Sequence, residues 1–524
     1  MTGTSVVPLG QYSPFDSKWR DAVIRRSFFA RDFQSDDSFA DTAAAVASRN
    51  YPRREIADAL IHYNQSIGAS EKALQSIRQF ADGAFVVVTG QQAGMFGGPL
   101  YTVYKIITAI QLAAQVSGML HAPVVPVFWN ASNDADLGEI NHAYAFTQAG
   151  MLKKYSADLG SARMADGISY EAARSCIDAY LNDRHDNDFK SELADLLSPA
   201  GNGYSAHVSR IIARLFADDG LIVLEPHLLY RHAAGVYTNA VMRSDDIAAA
   251  LAAGSHALRQ SGFSTPVSDD ACVHLFAQSD GVRHRVSGGN SAWHAHDRGF
   301  STAELGAYIA AHPETFGPDV VSRVMMQQAV LPTLAYVAGP SEYNYLAQLE
   351  PLFRIFDVPV PVIYPRVSAT LVEQKYTQVM KESGMSAADL FGDYARFEPD
   401  AGDAVVTAYV AAFTAAADSF QCDMEKYFGA GDDAVLKNIR QFVSRVKSDA
   451  DRIEDHAQKA SARRKGIVVG RLSRLREYIS PRDGLQERTL NILEFVHRHG
   501  AGIVPEIRNA VSIGMFDHQV VFVR

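Results

Sequence analysis

The chain has 524 residues, 47% of them hydrophobic and 21% charged, and it carries a formal net charge of −10 at pH 7. This length and composition predict a globular protein of several domains and exclude a mainly disordered chain. The acidic balance gives no general attraction to phosphate backbones or anionic lipids, so we expect neither nucleic acid nor a membrane as a partner.

We expect a cytoplasmic protein without a targeting or membrane-spanning segment. The first residues lack the basic and apolar regions of a secretory signal, and the longest apolar run, residues 404–417, is shorter than the ~18 residues of a membrane span. Cys176, Cys272 and Cys422 are far apart and lack the spacing of metal ligands. They are therefore expected to be buried thiols in a reducing compartment.

The first 80 residues predict helices that pack on the outside of a sheet. Apolar side chains recur at helical spacing in AVIRRSFFARDF (22–33) and REIADALIHYNQSI (54–67), which are separated by Asn50-Tyr51-Pro52. Residues 85–141 then predict a strand, a glycine-rich loop, a helix, a second strand at 124–129 and an acidic loop. This order forms one right-handed βαβ unit, and ligands of open α/β sheets bind at the carboxyl ends of such strands.

The glycine-rich loop follows the first strand and runs from Gly90 to Gly98, immediately before Pro99. Proline suits the first turn of a helix, and the free backbone N–H groups of that turn suit an anion. The loop matches neither the P-loop nor the dinucleotide pattern, so a tight turn without a ligand is the alternative. The amides of Gln91 and Gln92 favour a polar ligand.

The acidic loop follows the second strand and carries Asp134, Asp136 and Glu139. Carboxylates at the edge of a sheet can orient an ammonium group, bind Mg²⁺, or take a proton from an amine nucleophile. The alternative is a helix N-cap and first turn, where Asp and Glu are also favoured. The residues alone leave these interpretations open.

The middle of the chain is mixed in character. It includes a predicted strand at 221–224, an alanine-rich helix at 246–258, and a β-hairpin formed by 272–277 and 282–286. His294 and His296 have the period-two spacing of one strand face, which suggests a metal site. No third ligand stands at a recognised spacing, and two exposed histidines are the alternative.

A second strand, turn, helix and strand follow at 333–364 and repeat the layout of the first unit, which supports a mostly parallel sheet. Glu342 and Asn344 lie at the turn, and Arg366 lies at a strand end, so all three are candidates for the same pocket. Arg366 can bind a carboxylate or phosphate with two hydrogen bonds, or it can pair with a structural acid.

After residue 371 the apolar period changes to alternating steps of three and four. Residues 406–424 and 436–460, separated by Gly429-Ala430-Gly431, predict an antiparallel helical hairpin whose apolar stripe serves as a core or a dimer contact. A basic cluster at 463–476 follows and indicates either a solvated helix face or a site for nucleotide phosphates. The end of the chain predicts a helix at 486–499 and a strand at 519–523.

The chain resembles the bacillithiol biosynthesis cysteine-adding enzyme family. The resemblance rests on segments that occur in the family's order along nearly the whole chain. They are TGQQAGMFGGPLYTVYKI at 89–106, PVFW and DLGEIN within 126–141, LPTLAYVAGPSEYNYLAQL at 331–349, PVIYPRVSATLVE at 361–373, and QERTLNILEFVHRHG at 486–500.

The resemblance implies an α/β fold of two parts. A Rossmann-like core with a mostly parallel sheet spans 1–370, with N-terminal helices and connecting-peptide insertions over about 145–320. A coiled-coil domain that forms a homodimer spans 371–480, and residues 481–524 return to the core. The resemblance also implies a ligase that joins cysteine to the amine of glucosaminyl malate. The alternatives are a catalytically altered protein of this fold that binds a nucleotide or sugar acid, and a coiled-coil scaffold.

Forming that amide requires an activated cysteine carboxyl, hydrogen-bond donors for the developing oxyanion, and a base for the amine. The resemblance assigns these catalytic roles to Gln91, Gln92, Asp134 and Asp136. The expected substrate-binding residues are Thr89, Gly90, Gly94, Gly98, Tyr101, Lys105, Asn133, Asn141, Ser341, Glu342, Asn344 and Arg366. The expected nucleotide-binding residues are Arg471, Arg474, Gln486 and Arg488. A nucleotide, ATP or ADP, and Mg²⁺ are compatible cofactors.

The chain departs from the family pattern in the acidic loop. Asn133 and Ala135 stand where the family usually has Glu and His. If that His is catalytic, three outcomes are open: His142 replaces it, the substrate differs, or the reaction is lost.

Overall fold

The computed structural model describes residues 3–8, 17–134, 136–160, 164–199, 201, 203–268, 273–279, 282–289, 292–399 and 404–523. It divides into two compact units. The core unit contains Met1–Glu373 and Pro481–Arg524, and the helical unit contains Gln374–Ser480. The core unit is therefore built from two stretches of chain that flank the helical unit in sequence.

The strands, in chain order, are β1 (Gly3–Val7), β2 (Phe85–Gln91), β3 (Val124–Asn130), β4 (His142–Phe146), β5 (Leu152–Ser156), β6 (Ile222–Leu224), β7 (Leu275–Ser279), β8 (Val282–Arg285), β9 (Ser287–Gly289), β10 (Ala292–Ala295), β11 (Arg298–Ser301), β12 (Phe316–Pro318), β13 (Thr333–Ala338), β14 (Val362–Pro365), β15 (Ala369–Glu373) and β16 (His518–Val523).

The helices are α1 (Ala22–Phe28), α2 (Asp36–Ala47), α3 (Arg53–Ser66), α4 (Glu71–Ala81), α5 (Leu100–Leu120), α6 (Leu137–Ile140), α7 (Glu171–Asn182), α8 (Lys190–Leu196), α9 (Tyr204–Leu215), α10 (Ala234–Met242), α11 (Ser244–Gln260), α12 (Thr302–Ala311), α13 (Val320–Val330), α14 (Pro340–Ile355), α15 (Gln374–Ser383), α16 (Ala404–Phe428), α17 (Asp433–Ile479), α18 (Gln486–Thr489), α19 (Leu493–His499) and α20 (Ile503–Ala510).

The central sheet of the core unit has the strand order β14-β13-β2-β3-β6, and all of its neighbours are parallel. Its strands are runs of buried β-branched residues, as expected for a sheet covered on both faces. The two predicted βαβ units are confirmed as β2–α5–β3 and β13–α14–β14. β6 falls within the stretch expected as an insertion, yet it forms the edge of this sheet.

Helix α5 is the longest helix described in the core unit and packs against β2 and β3. By length and composition it is apolar enough to span a membrane, but over half of its most apolar window is buried inside the protein. Its apolar surface is explained by contact with the sheet, as in the core helix of an α/β protein.

A second sheet has the order β1-β16-β15, with β1 antiparallel and β15 parallel to β16. The strand near the chain end was predicted, whereas β1 lies in a segment for which only helices were expected. β1 is short, and its pairing partner lies about 500 residues away in the chain. The local sequence pattern therefore does not predict this strand.

The predicted helix at 486–499 is interrupted and forms α18 and α19. Leu490 is extended, with φ −80° and ψ 154°, and makes a bridge with Tyr144. Asn491, which lies between the two helices, accepts a hydrogen bond from Leu493 N at 2.9 Å. Tertiary pairing therefore overrides the helical spacing at this position.

The predicted hairpin is confirmed as the antiparallel pair β7–β8, to which β12 adds a third strand. Cys272 and turn residues 280 and 281 lie outside the described residues. His294 is exposed on β10, while His296 follows the strand in a left-handed turn with φ 49°. Among the described residues, no group of three His, Cys, Asp or Glu side chains is placed to hold a metal ion.

The helical unit confirms the predicted antiparallel hairpin, formed by α16 and α17. Hydrogen bonds cross between the two helices from Arg440 to Glu425 at 2.7 Å and from Thr407 to Glu454 at 2.7 Å. Cys422 is exposed on α16, so the expectation of buried thiols is wrong there. Cys176 is buried in the core unit, and burial raises the pKa of its thiol to about 11.

Candidate active site

A cavity of about 620 Å³ opens at the carboxyl edge of the central sheet, where β2, β3 and β13 end. Because parallel strands end at one edge, the glycine-rich loop, the acidic loop and the turn before α14 meet there. The predicted site residues that line it are Gly90, Gln91, Gln92, Tyr101, Lys105, Asn133, Asp134, Ser341, Glu342, Arg366 and Arg488.

The glycine-rich loop makes a close turn between β2 and α5. A Cβ atom on Gly94 would lie 2.8 Å from the Gly98 Cα, and Gly98 itself has φ +81°. Both positions therefore require glycine, and neither lines the cavity. The turn leads into α5, whose first two turns present Tyr101 and Lys105 to the cavity.

Lys105 and Glu342 form a buried ion pair in the cavity wall. The side chains are 4% and 19% exposed. The Lys105 ammonium also donates to Gly90 O at 2.8 Å and to Gln91 Oε1 at 3.0 Å. Glu342 accepts hydrogen bonds from Gly339 N at 2.7 Å and Tyr336 Oη at 2.8 Å. The pair thus joins the loop after β2 to the start of α14.

The electrostatics of this pair favour a charged carboxylate. Burial alone would raise the pKa of Glu342, but the Lys105 ammonium and the hydrogen bonds hold it below its ordinary value. Burial also lowers the pKa of Lys105, and the Glu342 carboxylate opposes that change. Both groups have several partners, so the pair acts as a rigid part of the site rather than a mobile acid or base.

Arg366 lies in the cavity wall and pairs with a structural acid, which was one of its two predicted roles. It donates to Glu487 Oε1 at 2.7 Å and to Val367 O at 2.8 Å, and its guanidinium lies 5.5 Å from the Tyr101 ring centre. Burial would raise the pKa of Glu487, but the charge and hydrogen bond of Arg366 hold it below its ordinary value. This pair fixes α18 at the sheet edge.

Only part of α18 faces the cavity. Gln486 is fully buried, and its amide accepts from Leu371 N at 2.9 Å and donates to Leu371 O at 3.1 Å. Both hydrogen bonds hold β15, which gives this residue a structural role. Arg488 is exposed and lines the cavity.

The residues of the acidic loop lie in two places: some line the cavity, and Asp136 lies at the start of helix α6. Asp134 lines the cavity and accepts hydrogen bonds from Gln92 Nε2 at 2.7 Å and Arg283 at 2.8 Å. Asp136 is exposed, precedes the short helix α6 and is not among the cavity-lining residues. Asn133 is buried and donates to Pro318 O at 3.3 Å. Ala135 lies outside the described residues.

Several predicted residues lie elsewhere. The prediction that Asn344 faces the pocket is wrong: it accepts from Trp19 Nε1 at 2.8 Å and donates to Ser264 at 2.9 Å. Positions two apart on a helix face different directions, so Asn344 cannot follow Glu342. Thr89 is buried beneath the cavity and donates to Val337 O at 3.0 Å. Asn141 lies outside the cavity-lining set, beside His142.

The two remaining predicted arginines, Arg471 and Arg474, belong to the helical unit. Arg471 donates to Glu382 at 2.8 Å within that unit. Together with Arg463, the two arginines border a surface depression of α17.

One wall of the cavity is cationic and was not predicted from the sequence. Arg283 and Arg285 project from β8, and Arg323 projects from α13. The guanidiniums of Arg283 and Arg285 lie 4.4 and 5.3 Å from the Phe276 ring centre on the adjacent strand. Their period-two spacing was visible in the sequence, but nothing local indicated that the hairpin lies over the sheet edge.

Cationic side chains outnumber acidic ones in the cavity lining. The cations are Lys105, Arg283, Arg285, Arg323, Arg366 and Arg488, and the acids are Asp134, Glu139, Asp319 and Glu342. Across the described parts of the chain, Lys105, Arg283 and Arg366 form ion pairs. Arg323 forms none there and donates to Tyr345 Oη at 2.8 Å. Arg285 and Arg488 also form none there. The guanidiniums of Arg285 and Arg488, which have no ion pair among the described residues, suit carboxylate or phosphate groups of a ligand.

A parallel sheet built from two βαβ units, with a polar cavity at its carboxyl edge, defines a Rossmann-like α/β protein. The chain matches the profile described as "Bacillithiol biosynthesis BshC, N-terminal Rossmann-like domain" over residues 18–367. It also matches "Bacillithiol biosynthesis BshC, C-terminal coiled-coil domain" over residues 369–523. The chain therefore belongs to the BshC family, which confirms the resemblance seen in its sequence.

Curated relatives are similar over nearly their full length. A protein of Salinibacter ruber is 30% identical over 96% of this chain and 94% of its own. A protein of Geobacillus kaustophilus is 29% identical over 96% of both chains. Each is named "Putative cysteine ligase BshC". The prediction that the chain is an enzyme of the ligase class agrees with these names.

Proposed function

We propose that this chain is a ligase that joins the carboxyl group of cysteine to the amine of glucosaminyl malate. The observation that carries the proposal is a cavity whose lining is cationic overall and in which Arg285 and Arg488 have no ion pair among the described residues. Both proposed substrates carry carboxylates: the malate group has two, and cysteine has one. Two guanidiniums without an ion pair among the described residues match such groups.

The reaction needs a leaving group on the cysteine carboxyl, which a nucleoside triphosphate supplies. Arg488 and Arg285 are placed to bind either phosphate oxygens or malate carboxylates. Gln91 presents its amide to the cavity, where its Oε1 is held by Lys105 and its Nε2 lies 3.4 Å from Tyr101 Oη. That preorganised N–H group can stabilise the oxyanion that forms as the amine attacks. Arg471 and Arg474 remain a predicted nucleotide site in the helical unit.

The test is turnover by the purified full chain with cysteine, glucosaminyl malate and ATP, with the amide product detected by mass spectrometry. Arg285→Ala and Arg488→Ala are each expected to raise the KM of an anionic substrate roughly 10- to 100-fold, because a hydrogen bond to a charged group contributes about 1.5–3 kcal/mol. A higher KM for ATP would show that the arginine binds phosphate, and a higher KM for glucosaminyl malate would show that it binds the malate group.

Arg54→Ala is the matched control, because Arg54 is exposed on α3 and lies outside the cavity. It should leave KM unchanged. Absence of product from the folded wild-type chain, with ATP, GTP and CTP each supplied, would contradict the proposed function.

The second candidate function is a binding protein of the same fold without catalysis. It is favoured by Asn133, which stands at a position where the family usually has Glu and is used to hold the Pro318 carbonyl. An amide at that position cannot exchange protons near neutral pH. Calorimetric binding of glucosaminyl malate or ATP, without turnover of the three-component mixture, would support this alternative.

We also propose that the helical unit forms a homodimer. Phe413 and Phe420 on α16 are 55% and 44% exposed, and Phe442 on α17 is 59% exposed. A coiled-coil stripe of this kind is normally buried against another helix. Analytical ultracentrifugation should give twice the chain mass, and Phe413→Glu with Phe420→Glu should give the monomer.

A further inference from the structure

The cavity lining contains four carboxylates, and three of them are engaged by several partners. Asp319 caps α13 by accepting from Val321 N at 2.8 Å and Ser322 N at 3.1 Å, and its second oxygen contacts His274 Nδ1 at 2.7 Å. Glu342 is held by Lys105 and by three further donors. A carboxylate fixed in this way is poorly placed to accept a proton from a ligand.

Asp134 is the third engaged carboxylate. Its Oδ2 accepts from Gln92, and its Oδ1 accepts from Arg283 and from the backbone N–H of Asp136 at 3.3 Å. The guanidinium neutralises the charge that a proton acceptor needs. Asp134 therefore acts to hold the β7–β8 hairpin and Gln92 at the sheet edge.

Glu139 is the remaining carboxylate. It lies on α6, lines the cavity, and is exposed at the cavity mouth. It forms no ion pair in the described parts of the chain, and Gln92 is its side-chain hydrogen-bond partner. An accessible carboxylate with one neutral donor retains lone pairs for a ligand.

The groups around Glu139 make it a better base. Partial burial raises the pKa of its carboxyl, the negative charges of Asp136 and Asp134 raise it further, and the hydrogen bond from Gln92 opposes them. Tyr101 on α5 interacts electrostatically with this carboxylate. Burial raises the pKa of Tyr101, the charges of Arg366 and Arg488 lower it, and the charge of Glu139 raises it. A carboxylate with a raised pKa is a more effective proton acceptor near neutral pH.

We propose that Glu139 is the general base that takes a proton from the attacking amine. This assignment rests on the proposed ligase function. The amine nitrogen attacks the activated cysteine carbonyl carbon and forms the C–N bond. The C–O bond to the phosphate-containing leaving group breaks, the leaving group departs with that electron pair, and the amine proton passes to Glu139.

His142, the sequence-based alternative, is not among the residues that line the cavity. Its Nδ1 contacts Asn141 Oδ1 at 3.0 Å, and burial lowers its pKa. The base in this chain is therefore the Glu139 carboxylate on α6, which follows Asn133 and Ala135 in the chain.

The test compares two nucleophiles in the full chain. Glucosaminyl malate has an amine that is largely protonated at neutral pH, whereas hydroxylamine is largely neutral there. Glu139→Gln is expected to slow amide formation about 100-fold, within the usual range for loss of a general base. Its rate of cysteinyl hydroxamate formation should stay within about threefold of wild type, since hydroxylamine depends less on a base.

Two further readouts separate chemistry from structure. In the wild type, kcat/KM should show two acid-side steps, one from protonation of the substrate amine and one at the raised pKa of Glu139. Glu139→Gln should keep the first step and lose the second. Glu139→Asp should recover part of the rate, because it restores a carboxylate. Glu55→Gln is the control, since Glu55 is an exposed carboxylate on α3 outside the cavity.

Equal slowing of amide and hydroxamate formation in Glu139→Gln, with wild-type turnover intact, would overturn the assignment of Glu139 alone. A folded wild-type chain that forms hydroxamate but no amide would overturn the proposed substrate and, with it, this assignment. A pH profile unchanged by Glu139→Gln would also overturn it.

Discussion

Replacing Glu342 by Gln tests whether the Lys105 pair stabilises the core unit. The carboxylate lies among donors on both oxygens, and an amide can turn its NH₂ group only toward the hydroxyls of Tyr336 and Tyr345. Lys105 would keep the carbonyl of Gly90 and the amide oxygen of Gln91 but lose its counter-charge. Removing one partner of a buried ion pair costs about 3–5 kcal/mol. Because Glu342 is partly exposed, we expect a loss of about 3 kcal/mol in the free energy of unfolding.

Lys105→Met completes a double-mutant cycle. It removes the cation and leaves a buried carboxylate with hydroxyl and backbone donors, so we expect a similar loss of about 3 kcal/mol. The double variant has neither charge, and it should be about 2 kcal/mol more stable than the sum of the single effects predicts. That difference measures the coupling between the two side chains.

Urea unfolding followed by tryptophan fluorescence is the assay. The three tryptophans, Trp19, Trp129 and Trp293, all belong to the core unit, so the signal reports on that unit. The slope of free energy against urea should stay constant across the variants. Single effects that add to the double effect within about 0.5 kcal/mol would refute the coupled buried pair.

Two other predictions concern stability. Burial lowers the pKa of His518 from its ordinary 6.5 to about 4. Its neutral form therefore contributes stability above about pH 6.5 that is lost as the pH falls to about 4, amounting to roughly 3 kcal/mol, and His518→Gln should flatten this dependence in urea unfolding at several pH values. Gly94→Ala should destabilise the core unit by about 1–3 kcal/mol, because its Cβ would lie 2.8 Å from the Gly98 Cα. The control Gly118→Ala, in α5 with open space around the added Cβ, should raise the unfolding free energy by about 0.5–1 kcal/mol. A stable Gly94→Ala, or a pH profile unaffected by His518→Gln, would contradict these arguments.

The sequence predicted the parts of the fold that depend on local pattern. The buried valines of β2 and the apolar run of β3 identify strands covered on both faces, and the heptads identify the α16–α17 hairpin. The loops after these strands led directly to Gln91 and Asp134 in the cavity. These features could be predicted because each depends on residues that are close together in the sequence.

The sequence did not predict the site residues whose positions depend on contacts between distant parts of the chain. Arg285 enters the cavity because its hairpin lies over the sheet edge, and Arg323 enters because α13 begins there. Asn344 was misplaced because Glu342 and Asn344 face different directions from α14, and contact with Trp19 decides which of them faces away from the cavity. Residue types and spacing do not carry that information.

The position of β16 has a consequence for the order in which the protein folds during synthesis. It is the middle strand of its sheet, and both β1 and β15 pair with it. Thr4 Oγ1 also donates to Ala510 O, across 506 positions of the chain. The ribosome makes β1 and β15 long before β16. The backbone N–H and C=O groups with which these two strands pair to β16 therefore lack that partner while the helical unit is synthesised. The newly made chain is therefore expected to depend on chaperones until β16 has emerged, although its helical hairpin can form early.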